Sequence, residues 1–207
     1  MAKLIFNEER HEYSIGGVIL PSVTEICRFL TMDVAEGANK EMRDAAAERG
    51  TRIHEACTMH DFEGDECEVD GDIVGYVEAY AAFKRDYKIT EWLLYEHPMA
   101  SLERFYAGTL DRICYMDGSP TIIDIKSGTT VNKLVWAAQL KGYELLLRDE
   151  MEENHNDEFN PLDLRSAILK LKKDGKYTLY RDLPHGEIFF KCNELMREIY
   201  KIGGYAS

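Results

Sequence analysis

Hydrophobic and polar residues alternate along several short stretches of the chain, and elsewhere apolar residues recur at helical spacing. A period of two is typical of β-strands, whereas recurrence every three to four residues is typical of amphipathic helices. Alternation and turn residues predict an N-terminal hairpin at 6–20, strands at 91–96 and on both sides of Asp117-Gly118, and a second hairpin at 165–180. Helical spacing predicts helices at 22–30, 35–60 (interrupted at Gly50), 73–87, 131–148 and 187–201.

The start of the first helix carries its own signal, because Ser22 is followed three residues later by Glu25, the pattern of a capping box. Strands mixed with flanking helices predict an α/β (α+β) protein in which helices cover a central mixed β-sheet. With 207 residues, 45% of them hydrophobic, and no internal repeat or linker, the chain is expected to form a single domain over residues 1–207.

Two aspartates flank the strongest hairpin signal in the chain. Asp117-Gly118 lies between alternating apolar residues, and Asp-Gly favours a two-residue hairpin turn. In that register paired positions sum to 235, which places Asp111 directly opposite Asp124 at a non-hydrogen-bonded pair. Like charges at such a pair are destabilising. The register therefore indicates a cation between the two carboxylates, and oxygen ligands of this kind suit Mg²⁺ or Mn²⁺.

A lysine follows the second aspartate on the same face of the predicted strand. Side chains alternate along a strand, so Asp124 and Lys126 point one way while Ile123 and Ile125 point the other. A lysine beside a metal-binding carboxylate can orient or deprotonate a water, or neutralise charge that grows on a phosphate. The alternative is an edge strand that carries an ordinary cross-strand ion pair.

Two further segments complete a pattern. A predicted helix carries Gly50 and His54 as G-x-x-x-H, and a later one carries Gln139 and Tyr143, which project side by side at i and i+4. The order G-x-x-x-H, G-T-x-D, D-I-K and Q-x-x-x-Y resembles the RecB-like branch of the PD-(D/E)XK nucleases. These motifs span residues 50–143, just under half of the chain.

The resemblance implies a restriction-endonuclease-like core, built from a helix, three strands, a helix and a strand. It implies that the metal ligands are His54, Asp111, Asp124 and the main-chain carbonyl of Ile125, and that Lys126 is the catalytic lysine. It also implies that Gln139 and Tyr143 contact DNA. Read from the residues alone, His54 could instead be a histidine satisfied within its helix, and Tyr143 could be a core residue.

Other charged and sulfur-containing residues are weighed against the same pattern. Glu96 is interpreted as an ordinary strand-end charge, with a supporting role behind the metal ligands as the alternative. Iron–sulfur members of this branch need one upstream cysteine and three near the C-terminus, but only Cys192 lies late in this chain. No iron–sulfur cluster is therefore expected.

Cysteine content and hydropathy bear on location. Five cysteines without regular spacing argue against a disulfide framework and favour a reducing compartment. No apolar run approaches membrane length, and the segment at residues 1–7 is too short for a signal sequence. We expect a cytoplasmic protein, in a bacterial or phage-infected cell, with no membrane partner.

The net charge of −13 opposes phosphate binding, which requires lysine and arginine. The charge is segregated, however: 149–158 is acidic, whereas 165–181 carries four lysines against one aspartate. The acidic run is interpreted as solvated surface. The basic hairpin is either solvated surface or an edge that faces DNA.

These observations favour a Mg²⁺- or Mn²⁺-dependent deoxyribonuclease. Small stand-alone members of the family are often phage or prophage exonucleases in recombination or end-processing, so the resemblance favours an exonuclease that acts beside a single-strand annealing protein, and it is compatible with a homo-oligomer. An endonuclease is the nearest alternative. A non-catalytic acidic protein that imitates the charge of DNA is the alternative from another class.

Overall fold

The computed structural model describes residues 3–7, 10–31, 40–154, 160 and 163–202. Within these ranges the strands are β1 (Leu4–Asn7), β2 (Glu12–Ile15), β3 (Val18–Leu20), β4 (Leu94–Ser101), β5 (Tyr106–Met116), β6 (Ser119–Lys126), β7 (Arg165–Leu171) and β8 (Tyr177–Arg181). The α-helices are α1 (Val23–Cys27), α2 (Lys40–Glu63), α3 (Val74–Asp86), α4 (Lys133–Asn154) and α5 (Ile188–Ile202).

The main sheet has five strands in the order β4-β5-β6-β7-β8. Its pairs are antiparallel except for β6 and β7, which are parallel and are joined through α4. A parallel pair needs a crossover connection, and α4 supplies it. The predicted mixed sheet flanked by helices is confirmed.

The β5–β6 hairpin forms at the predicted turn. Asp117 and Gly118 have φ values of 52° and 79°, the left-handed pair that a tight hairpin turn of type I′ requires. The strand β6 lies between β5 and β7, so the alternative of an edge strand at Asp124 is wrong. Pro120 is accommodated because it pairs only with Tyr115 on β5, while the contact with β7 begins at Thr121.

Helices cover both faces of the main sheet. On one face α1, α4 and α5 enclose a core that includes Ile113 and Ile122. On the other face α2 and α3 enclose a core that includes Ile123 and Ile125. The alternation predicted for β6 is therefore confirmed, since neighbouring isoleucines belong to opposite cores. By the same alternation, Asp124 and Lys126 lie on the face of β6 that carries Ile122.

The strands β1, β2 and β3 form a separate antiparallel sheet, which packs beside the start of β5. Two bonds attach it: the Ala107 N–H donates to the Pro21 carbonyl over 3.0 Å, and the Tyr13 hydroxyl lies 2.8 Å from the Thr109 hydroxyl. The capping box at the start of α1 is present, with both reciprocal bonds between Ser22 and Glu25. The small sheet is thus attached two residues from Asp111.

The boundaries of three elements differ from expectation. The helix α2 continues through Gly50 without interruption, and residues 35–39 of its predicted start lie outside the described residues. The strand β4 lies at Leu94–Ser101 rather than at 91–96. The helix α4 runs past Arg148 to Asn154. Its added turn is held by two ion pairs, Asp149 with Arg104 and Glu150 with His97.

Candidate active site

The register of the β5–β6 hairpin brings Asp111 beside Asp124. Pairs from Met116↔Ser119 to Arg112↔Ile123 follow the predicted register, and Asp111 and Asp124 occupy the next positions. Here the ladder changes, because the Ile125 N–H donates to the Asp111 carboxylate over 2.6 Å. A side chain thus takes the place of a backbone acceptor, and it holds Asp111 against β6.

Glu96 approaches from the other neighbour of β5. Pairs on both sides, Tyr95↔Arg112 and His97↔Leu110, place Glu96 opposite Asp111. Its φ of 41° is left-handed, an uncommon conformation for a residue with a side chain. Three adjacent strands therefore each carry one carboxylate at the same level of the sheet, and the expectation that Glu96 is an ordinary strand-end charge is wrong.

His54 on α2 lies against these carboxylates. Its Nε2 is 3.2 Å from the Ile125 carbonyl, which can only accept, so Nε2 carries the proton. Its Nδ1 is 3.7 Å from Asp111 and 3.8 Å from Glu96. Burial lowers the pKa of His54, but the charges of Asp111 and Glu96 outweigh burial and raise this pKa to about 9. The imidazole is therefore a cation at neutral pH in the metal-free site.

Asp111 and Asp124 are both largely buried, and each interacts with a different cation. Burial and, to a lesser extent, the charge of Asp124 raise the pKa of Asp111 to about 6 against the attraction of His54. The buried Oδ2 of Asp124 pairs with the Nζ of Lys126 over 2.7 Å. Burial lowers the pKa of Lys126, but Asp124 and Asp111 raise it above its ordinary value, so Lys126 stays protonated at neutral pH.

A buried arginine holds the cluster from behind. The side chain of Arg112 is fully buried. Its guanidinium donates to Glu96 over 2.9 Å, to the Asp111 carbonyl over 2.8 Å, to Asp61 over 3.1 Å and to Thr58 over 2.7 Å. These bonds tie α2 to both strands of the site. With His54, Arg112 holds Glu96 ionised: burial raises the pKa of Glu96, but the two cations lower it below its ordinary value.

The residues present fit a divalent cation with oxygen ligands. The ligand atoms of His54, Glu96 and Asp111 lie within 4.8 Å of one another. Asp124 lines the same cleft, where its carboxylate pairs with Lys126. Carboxylate oxygens and an imidazole are ligands that divalent cations take in proteins.

A family model of the PD-(D/E)XK nuclease superfamily matches residues 28–199. The chain belongs to this superfamily. The matched residues include the whole main sheet and every residue of the cluster described above, and the mixed sheet flanked by helices is consistent with the restriction-endonuclease-like fold. Members of this superfamily are metal-dependent nucleases, so DNA is the substrate that membership implies.

Two other comparisons add little. No curated protein matches the sequence. Among solved structures, the crystal structure of SSO0001 is 12% identical over 84% of each chain with a TM-score of 0.36, and a score that low establishes no common fold. In the part of the chain that the structure describes, no helix is long and apolar enough to span a membrane.

The cleft of this superfamily member is a cavity of about 340 Å³. Among its lining residues are His54, Asp111, Asp124, Lys126 and Tyr143 from the predicted set. Tyr143 packs against Gly108, where a β-carbon would come within 2.9 Å of its ring. The glycine of the G-T-x-D motif is therefore required by the tyrosine of the Q-x-x-x-Y motif.

Two predicted DNA contacts are less accessible than the sequence suggested. Gln139 is 6% exposed and is absent from the described residues that line the cleft. The basic hairpin was interpreted as either solvated surface or a DNA-facing edge, and Lys170 fits neither because it is buried. Its ammonium donates to the Gly128 carbonyl and lies 5.8 Å from the centre of the Trp136 ring. The neighbouring Lys172 and Lys173 are exposed.

Sequence reasoning overlooked Arg112 and the aromatic residues of β1 and β2. Arg112 interrupts the apolar series Leu110, Cys114 and Met116, and a charge within such a series was a usable signal for a buried ion pair. Phe6 and Tyr13 carried no comparable signal. They line the cleft only because the small sheet packs beside β5.

Proposed function

We propose that this protein is a Mg²⁺- or Mn²⁺-dependent deoxyribonuclease that hydrolyses phosphodiester bonds of DNA in this cleft. The observation that carries the proposal is the convergence of Glu96, Asp111 and Asp124 from three adjacent strands, with His54 and Lys126 in the same cavity. Carboxylate ligands from adjacent strands with an imidazole beside them form a typical ligand set for a divalent cation, so their convergence supports a metal site.

His54, Glu96, Asp111 and Asp124 would hold the ion, with the Ile125 carbonyl as the further ligand that the family resemblance implies. In this structure that carbonyl accepts a bond from His54 and so fixes which imidazole nitrogen faces the carboxylates. A divalent cation held there would supply Lewis-acid chemistry, polarising a phosphate and lowering the pKa of a water.

Lys126 supplies a positive charge rather than a base. Its raised pKa keeps the ammonium protonated at neutral pH. A protonated lysine can donate to a phosphate oxygen and stabilise the charge that develops there. Acting as a general base would first require loss of a proton that Asp124, 2.7 Å away, helps to retain.

The finer assignment follows the resemblance stated above. We propose the RecB-like branch and an exonuclease of phage or prophage type, in which Gln139 and Tyr143 contact the DNA strand. Tyr143 lines the cleft and supports this role, whereas the burial of Gln139 means that its amide would have to reach DNA through a rearranged side chain. A single-strand annealing protein is the partner that such a role implies.

Incubation with end-labelled linear DNA and with closed circular DNA, with and without Mg²⁺, tests the proposal. We expect Mg²⁺-dependent release of the end label and survival of the circle. Cleavage of the circle would indicate an endonuclease. Absence of cleavage of both, with DNA-processing proteins inhibited instead, would support the acidic DNA-mimic alternative that the net charge of −13 raises.

Lys126→Ala tests the site itself, with Lys191→Ala as a matched control because Lys191 is an exposed lysine on α5 outside the cleft. We expect Lys126→Ala to abolish cleavage while Mn²⁺ binding persists, since all four proposed side-chain ligands remain. Equal activity of both variants would remove Lys126 from the chemistry.

A further inference from the structure

One wall of the cleft is formed by the small N-terminal sheet rather than by the main sheet. Phe6 on β1, Tyr13 on β2 and His11 between them line the same cavity as Asp111 and Lys126. The Phe6 and Tyr13 rings are stacked, with centroids 4.5 Å apart and planes 20° from parallel. The cleft therefore pairs an aromatic wall with a polar floor.

In this aromatic wall Tyr13 is buried, whereas Phe6 and His11 are at least partly exposed. Tyr13 is 2% exposed and its hydroxyl is bonded to Thr109, so this ring is fixed. Phe6 is half-buried and His11 is exposed. His11 meets Phe6 edge-on at 5.4 Å and has a left-handed φ of 51°, a conformation that presents its ring at the turn. Phe6 and His11 are thus the rings that a ligand in the cleft can reach.

Small residues of α2 also line the cleft. Ala47, Gly50 and Thr51 are among its lining residues, and a β-carbon added at Gly50 would meet nothing within 4 Å. Glycine inside a helix destabilises it by about 1 kcal/mol relative to alanine, and packing does not require this one. Small side chains in the lining leave room in the cleft for a flat group.

With the charges present in the cleft, electrostatic attraction alone would bind DNA only weakly. Among the described residues that line it, Lys126 is the only lysine or arginine, and it lies beside Asp111 and Asp124. Proteins that bind DNA through its phosphates need several such cations. Stacking of a base on an aromatic ring does not depend on charge and tolerates any base sequence.

We propose that Phe6, with His11 edge-on beside it, forms a stacking site for an unpaired terminal base of single-stranded DNA, next to the phosphate that Lys126 contacts. This inference rests on the proposed nuclease function and specifies its substrate. In a duplex the terminal base is held by its paired base and by the stack on its inner face, so the site selects single strands or frayed ends. The cleft, at about 340 Å³, is at the small end of ligand pockets and fits one nucleotide at a time.

The test uses a short single-stranded oligonucleotide whose terminal base is 2-aminopurine, which loses fluorescence when it stacks. Binding is measured in Ca²⁺, an oxygen-binding cation that neutralises the same carboxylates, and gels verify that the oligonucleotide stays intact. We expect the parent protein to quench the fluorescence. Loss of one stacking ring should weaken binding by roughly 5- to 100-fold.

The variants are chosen to remove a ring without disturbing the fold. Phe6→Leu keeps an apolar side chain, and His11→Asn suits a left-handed φ. Ile5→Ala is the matched control, because Ile5 is 61% exposed on the same strand and does not line the cleft. Thermal unfolding verifies that all three variants fold. The inference is overturned if the ring variants bind and quench like the parent, if the parent gives no quenching, or if blunt duplex binds as tightly as the single strand.

Cleavage by the same preparations in Mg²⁺ separates this inference from the proposed function. If the parent cleaves DNA and the ring variants keep its KM, the stacking site is refuted and the nuclease stands. If quenching depends on Phe6 and His11 but the parent never cleaves, the stacking site stands as a binding site and the nuclease function is refuted.

Discussion

Replacing Asp111 with asparagine should stabilise the metal-free protein. The pKa of Asp111 rises from 3.8 to about 6 on folding, chiefly through burial and despite the attraction of His54. Since one pKa unit corresponds to about 1.4 kcal/mol, the ionised carboxylate costs the folded state about 3 kcal/mol at neutral pH. Asparagine removes that charge and retains an oxygen that can accept from the Ile125 N–H.

The sign of the pH dependence follows from the same pKa. Below pH 3.8 Asp111 is protonated in both states and contributes nothing. Between pH 3.8 and about 6 the unfolded state ionises first, so the parent loses stability as pH rises. Above pH 6 the full difference of about 3 kcal/mol between variant and parent is present.

Urea unfolding in EDTA at pH 5 and pH 8 measures the difference, with Asp174→Asn as the control because Asp174 is exposed and lies outside the cleft. Mg²⁺ at about a thousand times its Kd should then reverse the order, because it adds about 4.1 kcal/mol to the parent, more than the difference of about 3 kcal/mol, and less to the variant. A variant that is less stable than the parent in EDTA at pH 8 would refute the reasoning, since Asp111 would then be a structural partner of His54.

Three further changes test other parts of the site. Arg112→Met should lower the free energy of unfolding by about 1–3 kcal/mol, because Glu96 and Thr58 lose its buried donor, although Asp61 keeps the Lys84 ammonium; urea unfolding measures this loss, and a loss below 1 kcal/mol would contradict it. Calorimetric titration with Mn²⁺ should show affinity that increases from pH 6 to about pH 9 with release of a proton, since His54 must become neutral to bind a metal. Gly50→Ala should raise the free energy of unfolding by about 0.5–1 kcal/mol yet raise the KM for single-stranded DNA, because Gly50 lines the cleft and an added methyl group would narrow it; an unchanged KM would place the DNA elsewhere.

Local sequence was sufficient to place Asp111 and Asp124 side by side. The register of a hairpin is set by its turn, and Asp117-Gly118 adopts the left-handed pair that fixes it. The face of Lys126 followed from alternation alone. The position of His54 did not, because the packing of α2 against β6 is a long-range contact, and only the resemblance to a family indicated it. The catalytic and DNA-binding roles given to these residues stay predictions.

The errors concern features that no local pattern encodes. Lys170 pairs with Lys126 across the parallel contact of β6 and β7, so it lies in the interior of the sheet although its hairpin reads as exposed and basic. Glu96 joins the cluster through its left-handed φ, and no pattern in the neighbouring sequence predicts that φ. Strand order and a single unusual φ are both decided by tertiary packing.

The cleft contains two cations with raised pKa values, His54 and Lys126, and a bound metal ion would affect them differently. Protonated His54 lies between Asp111 and Glu96, so in the metal-free site its charge partly offsets theirs. A bound metal would compete for the same carboxylates and for Nδ1, and it would therefore displace that proton. Lys126 pairs with Asp124 instead, so its ammonium would stay protonated and able to donate to a phosphate. Metal binding would thus cost the cleft the charge of His54 but not that of Lys126.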